Sequence, residues 1–364
     1  MMRKIDWYIL KKFLTTFFFS LILLTTISTV IDISEHTDDF AKSGLSANQI
    51  IMQYYVGFIP HIVAMLFPLF VFISVIFFTS KLANNTEIIA ILGSGISYER
   101  FLRPYLIGAG ILASTIFLLA MFLVPRASLG YNEFVFKYLK AGKQDRQTEN
   151  IFTQINEQEV IYVSNYDHNR QRGYQFTLEH FDSTGTLSFK INASSIRWKE
   201  QDSVYQMIPY TKRIIKNDEV IRVEHQTSFD TIFPFALSDM TPVSYVAETK
   251  NLFELNSFIK DMKKKGASNI NAYVLVKYKR WALPFSIFVL TIIGVSVSAN
   301  KRRGGMGINL ALGVLIAFLY IFFDRVFSTM AQQSGLPPLW AVLIPNAIFG
   351  ALAIYLLHDA KKQH

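Results

Sequence analysis

The stretch KLANNTEIIAILGSGISYERFLRP, residues 81–104, is polar at its ends, apolar in its middle, and set between two long apolar runs. Its reading decides the fold. Asn84 and Glu87 have the spacing of a capping box, in which the Asn side chain accepts from an orphan N–H and the Glu reaches back to the cap residue. Gly93 supplies the stop. The spacing therefore predicts a short helix over 84–93, with Ile88, Ile89, Ile91 and Leu92 as an apolar ridge and Glu87 at the positive end of the helix dipole. Two readings stand on these residues alone: a capped turn joining two membrane helices, or a docking knob lying at a membrane face.

Composition sets the class around that stretch. Of 364 residues, 51% are hydrophobic and 15% aromatic, with 32 Phe, and only 17% are charged. A soluble domain carries about 25% charged residues, so the chain reads as a membrane protein. The formal charge of +9 comes without a stripe of Lys and Arg interleaved with aromatics, which argues against nucleic acid as a partner. With no cysteine, disulfides, thiolate metal sites and a cysteine nucleophile are excluded.

Six apolar runs have spanning length, since roughly 20 residues cross a bilayer core. They are 13–31, 50–80, 105–124, 281–300, 306–323 and 339–357. The first follows the basic, amphipathic MMRKIDWYILKKF and lacks a small-x-small cleavage pattern, so it reads as an uncleaved helix. Pro60 and Pro68 predict a bend in the second. Arg3, Lys4, Lys11, Lys12, Lys81, Arg100, Arg103, Lys301, Arg302, Arg303, Lys361 and Lys362 fall on one side of the spans, against Lys42 on the other. The positive-inside rule then places both termini and residues 81–104 in the cytoplasm.

The polar segment between the third and fourth spans reads as all-β. Residues 151–155, 160–163, 174–180, 187–191, 195–199, 204–209, 212–215 and 220–225 are short runs rich in β-branched and aromatic residues. Turn chemistry separates them, as at Asp182-Ser183-Thr184-Gly185 and Asn217-Asp218-Glu219. Such a pattern favours a sandwich or jelly roll. Residues 251–265 then carry apolar positions at helical spacing, ended by Gly266. The organisation expected is spans one to three in 1–128, an outside jellyroll-like β domain in 129–268 and spans four to six in 269–364.

Catalytic and nucleotide motifs are missing. There is no GxxxxGK[ST], and the Gly93-Ser94-Gly95 and 303–307 clusters lack the Lys and Ser/Thr that hold phosphate and magnesium. The histidines show neither HExxH nor a compact acidic cluster, and Ser94 lacks the GxSxG elbow. No enzyme, metal or cofactor is expected. More informative are Arg126, Lys277, Lys279, Arg280, Asp324 and Arg325, which sit at the ends of spans on the side opposite residues 81–104. Ionisable groups near hydrocarbon face a cavity or a partner, or snorkel as plain anchors. A pair between Asp324 and Arg280 is expected, leaving Arg126, Lys277 and Arg325 to meet anionic headgroups.

Over nearly its whole length the chain resembles the LptF/LptG (YjgP/YjgQ) family of lipopolysaccharide export permeases. The resemblance rests on DWYILKKF, NNTEIIAILGSGIS, the β segment between spans three and four, YKRWALP, FFDRVF and GLPPLWAVLIPNAIFGALAIYLL, in that order. It implies a multi-pass permease of the bacterial inner membrane with six helices and a periplasmic β-jellyroll. It further implies pairing with a second LptF/LptG-type permease, an LptB-like ATPase dimer inside, and LptC-like and LptA-like proteins outside. Lipopolysaccharide would leave the membrane through a gate lined by spans one and five and pass along the β domain towards the outer membrane.

By that resemblance Glu87 matches the coupling-helix glutamate that docks into the ATPase, with Ile88, Ile91 and Leu92 seated in its groove. Asp324 matches an acidic residue at the end of span five. Phe176, Leu178, Phe189, Ile191 and Val204 are candidates for an acyl channel or, on the plainer reading, the β-domain core. One departure is visible: relatives often carry lysines where span one leaves the membrane, whereas this chain has Asp32, Glu35, Asp38 and Asp39 with Lys42 alone. An exporter of another lipid or of a lipoprotein, and a non-transporting scaffold, remain as alternative readings.

Overall fold

The computed structural model describes residues 3–139, 149–167, 170–199, 204–216, 219–233, 246–264, 270–299 and 305–363. The chain divides into two compact units, one built from Met1–Leu139, Glu248–Leu252 and Val274–His364, the other from Lys140–Ala247 and Phe253–Tyr273.

The first unit is helical. Its elements are α1 (Lys4–Lys42), α2 (Ala47–Ile50), α3 (Val56–Asn84), α4 (Glu87–Gly93), α5 (Tyr98–Leu118), α6 (Val124–Phe134), α7 (Val246–Thr249), α9 (Ile270–Ser298), α10 (Gly305–Gln333) and α11 (Pro338–Gln363), while α8 (Leu252–Lys264) belongs mainly to the second unit. Two π-turns, Ile51–Tyr55 and Leu119–Leu123, join α2 to α3 and α5 to α6. Among the described residues six helices are long and apolar enough to cross a membrane, with α2–α3 and α5–α6 each running on through their π-turn. They outrun the apolar runs that predict them. The 39 residues of α1 make a rod of roughly 58 Å at 1.5 Å per residue, nearly twice a hydrocarbon core. Hydropathy finds only the lipid-facing part of a helix; its amphipathic ends are held by neighbouring protein. Both Pro60 and Pro68 lie inside α3, which continues through them. Asn300 and the Lys301–Arg303 cluster lie outside the described residues.

Small residues set how closely these helices approach, as expected where lipid removes the hydrophobic drive between helices. A Cβ on Gly108 of α5 would stand 2.6 Å from the Phe13 ring of α1. One on Gly313 of α10 would collide with Cδ1 of Ile76 in α3. Around the first crossing Phe13, Phe17, Phe67, Phe101 and Tyr105 fill a buried core, and Thr79 donates to the Tyr105 hydroxyl at 3.0 Å.

Besides α8, the described residues of the second unit form one antiparallel sheet. Its strands are β1 (Glu149–Gln154), β2 (Glu159–Asp167), β3 (Arg172–Phe181), β4 (Leu187–Lys199), β5 (Val204–Lys216), β6 (Glu219–Gln226) and β7 (Phe229–Thr231). The first six follow one another in spatial order and β7 continues along the edge of β5 beside β6. Among the described residues the expected sandwich or jelly roll takes the form of one meander. The runs 187–191 and 195–199 are one strand, as are 204–209 and 212–215. In place of turns, each carries a slip of the pleat. Buried positions run 161, 163, 166 in β2 and 173, 176, 178 in β3, then 191, 193, 196 in β4 and 205, 207, 210 in β5. Each strand has one spacing of three where alternation demands two.

The slips line up across the sheet. Gly173, Ile196 and Met207 stand opposite one another on one side of the line, and Phe176, Ala193 and Tyr210 on the other. Gln175, at φ 50°, and Pro209, after a cis peptide, lie on the line, where a residue of special conformation or without an N–H is tolerated. The Asp182–Gly185 turn forms as its sequence predicts. The Thr184 hydroxyl and the amides of Thr186, Thr184 and Gly185 hold the Asp182 carboxyl below the usual aspartate range. Asn217 and Asp218 of the other predicted turn lie outside the described residues, as do Lys265 and Gly266.

Candidate functional site

At one end of the helical unit α3 stops at Asn84 and α4 begins at Glu87. The predicted capping box does not form. Asn84 is still helical, Thr86 turns the chain through φ 63°, and no side chain caps α4. Instead Asn85 Nδ2 donates to Glu87 Oε1 at 3.1 Å, and the Tyr8 hydroxyl of α1 donates to Oε2 at 3.0 Å. Glu87 is thus positioned by two side chains at the surface.

The ridge is rotated from its expected setting. Ile88 is fully buried in the core, and Ile91 and Leu92 pack partly against it, while Ile89 is 56% exposed. Ile88 is therefore unavailable to a partner in this conformation, because the tight turn at Thr86 points the first apolar residue of α4 inward. What α4 offers outward is Ile89, Ala90, parts of Ile91 and Leu92, and Glu87. A shallow groove lined by Lys4, Ile5, Tyr8, Glu87, Ala90 and Ile91 joins it to the start of α1. Arg100 to Asp6 at 3.0 Å and Lys361 to Glu99 at 2.6 Å tie the surrounding elements together.

The opposite end of the unit holds a cavity of about 410 Å³ between α3, α9, α10 and α11. Arg280, Asp324 and Arg325 line it; Arg126 and Lys277 do not. Arg126 is exposed on α6 and Lys277 is half-buried on α9. The expected Asp324 partner is wrong by one residue. Lys279 Nζ lies 2.7 Å from Asp324 Oδ2, while buried Arg280 donates to the carbonyls of Lys250 at 2.6 Å and Glu248 at 3.0 Å. Adjacent helical residues point about 100° apart, so only one of the two faces α10. Below this pair the Tyr320 hydroxyl donates to Ser286 Oγ at 2.7 Å, and Ser286 donates to Asn346 Oδ1 at 2.9 Å.

In the sheet unit Phe176, Leu178 and Ile191 share one buried cluster, with Phe189 half-buried against it. Val204 is outside that cluster. It pairs with Lys199 at the start of β5, and the inward residue is its neighbour Tyr205, a one-residue registry difference that moves the side chain to the other face. The cluster ends in a polar layer that sequence reading missed: His180 stacks on Phe189 at 4.7 Å and meets Glu159 at 3.2 Å, and Lys212 lies 4.4 Å above the same ring.

The family model for the lipopolysaccharide export system permease LptF/LptG matches residues 7–359. The chain belongs to this family. Among its relatives, the lipopolysaccharide export system permease protein LptG of Escherichia coli (strain K12) is 18% identical over 361 residues, covering 97% of both chains. The LptG protein of Haemophilus influenzae is 19% identical over 368 residues, covering 98% of this chain and 99% of the relative. An LptF/LptG chain is a transport permease for lipopolysaccharide export rather than an enzyme.

Within this member of the family, the acidic end of α1 proves to be structural at one position. Asp32 is buried and accepts from the hydroxyls of Tyr54 at 2.9 Å and Tyr55 at 3.0 Å, with His36 Nδ1 at 3.3 Å. Two consecutive residues converge on one carboxylate because they sit in the π-turn, whose extra residue changes the angle between neighbours. Phe40, Phe58 and Phe134 close the cluster around Tyr54. Glu35 and Asp38 are exposed.

Proposed function

We propose that this chain is a G-like permease subunit that couples ATP hydrolysis in a separate LptB-like ATPase dimer to extraction of lipopolysaccharide from the bacterial inner membrane. Both relatives described above carry the LptG name, which supports the G-like reading. Both termini and α4 are cytoplasmic, and the sheet unit is periplasmic. Glu87 and the exposed apolar surface of α4 dock into the ATPase. The observation that carries this reading is the carboxylate of Glu87, held at the surface by Tyr8 and Asn85 beside an exposed Ile89, in a family member that lacks a phosphate-binding loop of its own.

Closure of the ATPase dimer on nucleotide moves α4 and with it α1 and α3. Only a nucleotide that binds the two states unequally shifts them. α1 and α10, whose apolar faces are broadly exposed, line the gate with their counterparts in a second LptF/LptG-type permease. The lipid then passes along the inner face of the sheet, where Phe176, Leu178, Phe189 and Ile191 contact acyl chains, to LptC-like and LptA-like proteins. Mass spectrometry of the protein and lipid that co-purify with the chain from its native membrane tests this assembly. An ATPase, a second permease and lipopolysaccharide are expected. Recovery with another lipid or a lipoprotein and no lipopolysaccharide overturns the cargo, and recovery without an ATPase overturns the coupling.

A further inference from the structure

The cavity between α3, α9, α10 and α11 takes no part in the docking of α4. Its shape comes from how α10 leaves α3. At Gly313 the two helices touch so closely that a Cβ would collide with Ile76. Towards Tyr320 and Arg325 they part, and the cavity of about 410 Å³ opens between them. It runs from Arg325 to Ala317 along α10, from Val276 to Leu290 along α9 and from His61 to Phe72 along α3. At 1.5 Å per residue its walls extend roughly 12–21 Å along the three helices. Its volume falls in the range of about 300–1,000 Å³ typical of ligand sites, enough for one hydrocarbon chain and too small for a whole glycolipid.

The slot is mostly apolar, and the polar side chains at its middle are hydrogen-bonded to one another. Tyr320 donates to Ser286, Ser286 to Asn346, and Asn346 Nδ2 to the Val342 carbonyl at 2.8 Å. Deeper down the walls are Leu69, Phe72, Leu290 and Ala317. A buried water needs two to four polar partners, and this depth offers none, so the occupant that fits is hydrocarbon. The rim is charged. Lys279 is committed to Asp324 and Arg280 to backbone carbonyls. Arg325 is exposed, forms no ion pair among the described residues, and has the Met65 sulfur 4.0 Å from its guanidinium. A guanidinium above a dry slot suits a phosphate above an acyl chain.

We propose that this cavity binds one hydrocarbon chain of an anionic membrane lipid, with the chain between α10 and α3 and the headgroup phosphate on Arg325. The proposal rests on the helical unit being embedded in a membrane and on no part of the coupling reading, so its failure leaves that reading standing. Two sources share this chemistry, a bilayer phospholipid and the exported lipopolysaccharide itself.

The test uses the full chain reconstituted in phosphatidylcholine vesicles containing phosphatidylglycerol with a diazirine in its acyl chain. Photolabelling is mapped by peptide mass spectrometry. Label is expected on the Leu66–Phe72 wall of α3 and the facing wall of α9. Arg325→Gln, an exposed change that leaves the fold intact, is expected to lower that label about tenfold, the equivalent of one charge-assisted hydrogen bond. Ala317→Phe, which fills the slot, is expected to abolish it. Label confined to the lipid-facing surfaces of α1 and α10, or label in the slot that is equal for a diazirine phosphatidylcholine and unmoved by Arg325→Gln, overturns the proposal. Loss of slot label on adding lipopolysaccharide assigns the site to the cargo's chain, and persistence assigns it to a resident phospholipid; both outcomes support the site.

Discussion

Near each end of α1 a carboxylate accepts from tyrosine, and the two arrangements differ in burial. Asp32 is 8% exposed and takes hydroxyls from Tyr54 and Tyr55, themselves buried among aromatic rings. Glu87 lies at the surface and takes one hydroxyl from Tyr8, which is 42% exposed. The chemistry is the same and the consequences are opposite. A buried donor cannot exchange its acceptor for water, so the Asp32 contact fixes α1 against the π-turn before α3. The surface contact costs little to break, so Glu87 can trade Tyr8 for a partner's donor. The Asp32 cluster is an anchor, and the Glu87 contact is exchangeable with water.

Substitutions that sharpen or break this contrast range from large effects to small. Asp32→Ala strands two buried hydroxyls, and thermal unfolding of the purified chain is expected to show a loss of about 2–4 kcal/mol; a loss like that at Glu87 removes the distinction. Tyr55→Phe deletes one of the two donors, and about 1–2 kcal/mol is expected in the same measurement. Glu87→Ala should change stability by less than about 0.5 kcal/mol, as for exposed polar contacts. Asp182→Ala, in the β3–β4 turn, is expected to lie at the small end. The Asp182 carboxyl is held below its ordinary range in the fold, so its contribution is present above the unfolded aspartate pKa and fades as pH falls through the lower folded value. Native and Asp182→Ala chains should therefore converge in acid; divergence there contradicts this account of the turn.

These contrasts also show which features were legible in the sequence. Six spans, the break at residues 81–104, most strands and α8 follow from hydropathy, periodicity and turn residues, all of them local properties. The placing of Glu87 next to an apolar ridge was legible too. What escaped depends on which way a side chain points and what meets it. Asp324 pairs with Lys279 rather than Arg280, and Tyr205 rather than Val204 faces inward, because a rotation of one residue redirects a side chain by about 100° in a helix or to the other face of a strand. Ile88 turned into the core because Thr86 adopted a positive φ, which the Asn84 capping pattern concealed. Asp32 reads in sequence as one of four acidic residues after a membrane span, and only the π-turn reveals it as the buried one.

The central claim is that α4 is where an ATPase engages this permease through Glu87. The direct test is capture of the separate ATPase by the purified native chain and by Glu87→Ala, with the melting temperature of each permease recorded alongside. Loss of capture by Glu87→Ala at an unchanged melting temperature is the predicted result; undiminished capture by a folded Glu87→Ala chain contradicts the claim.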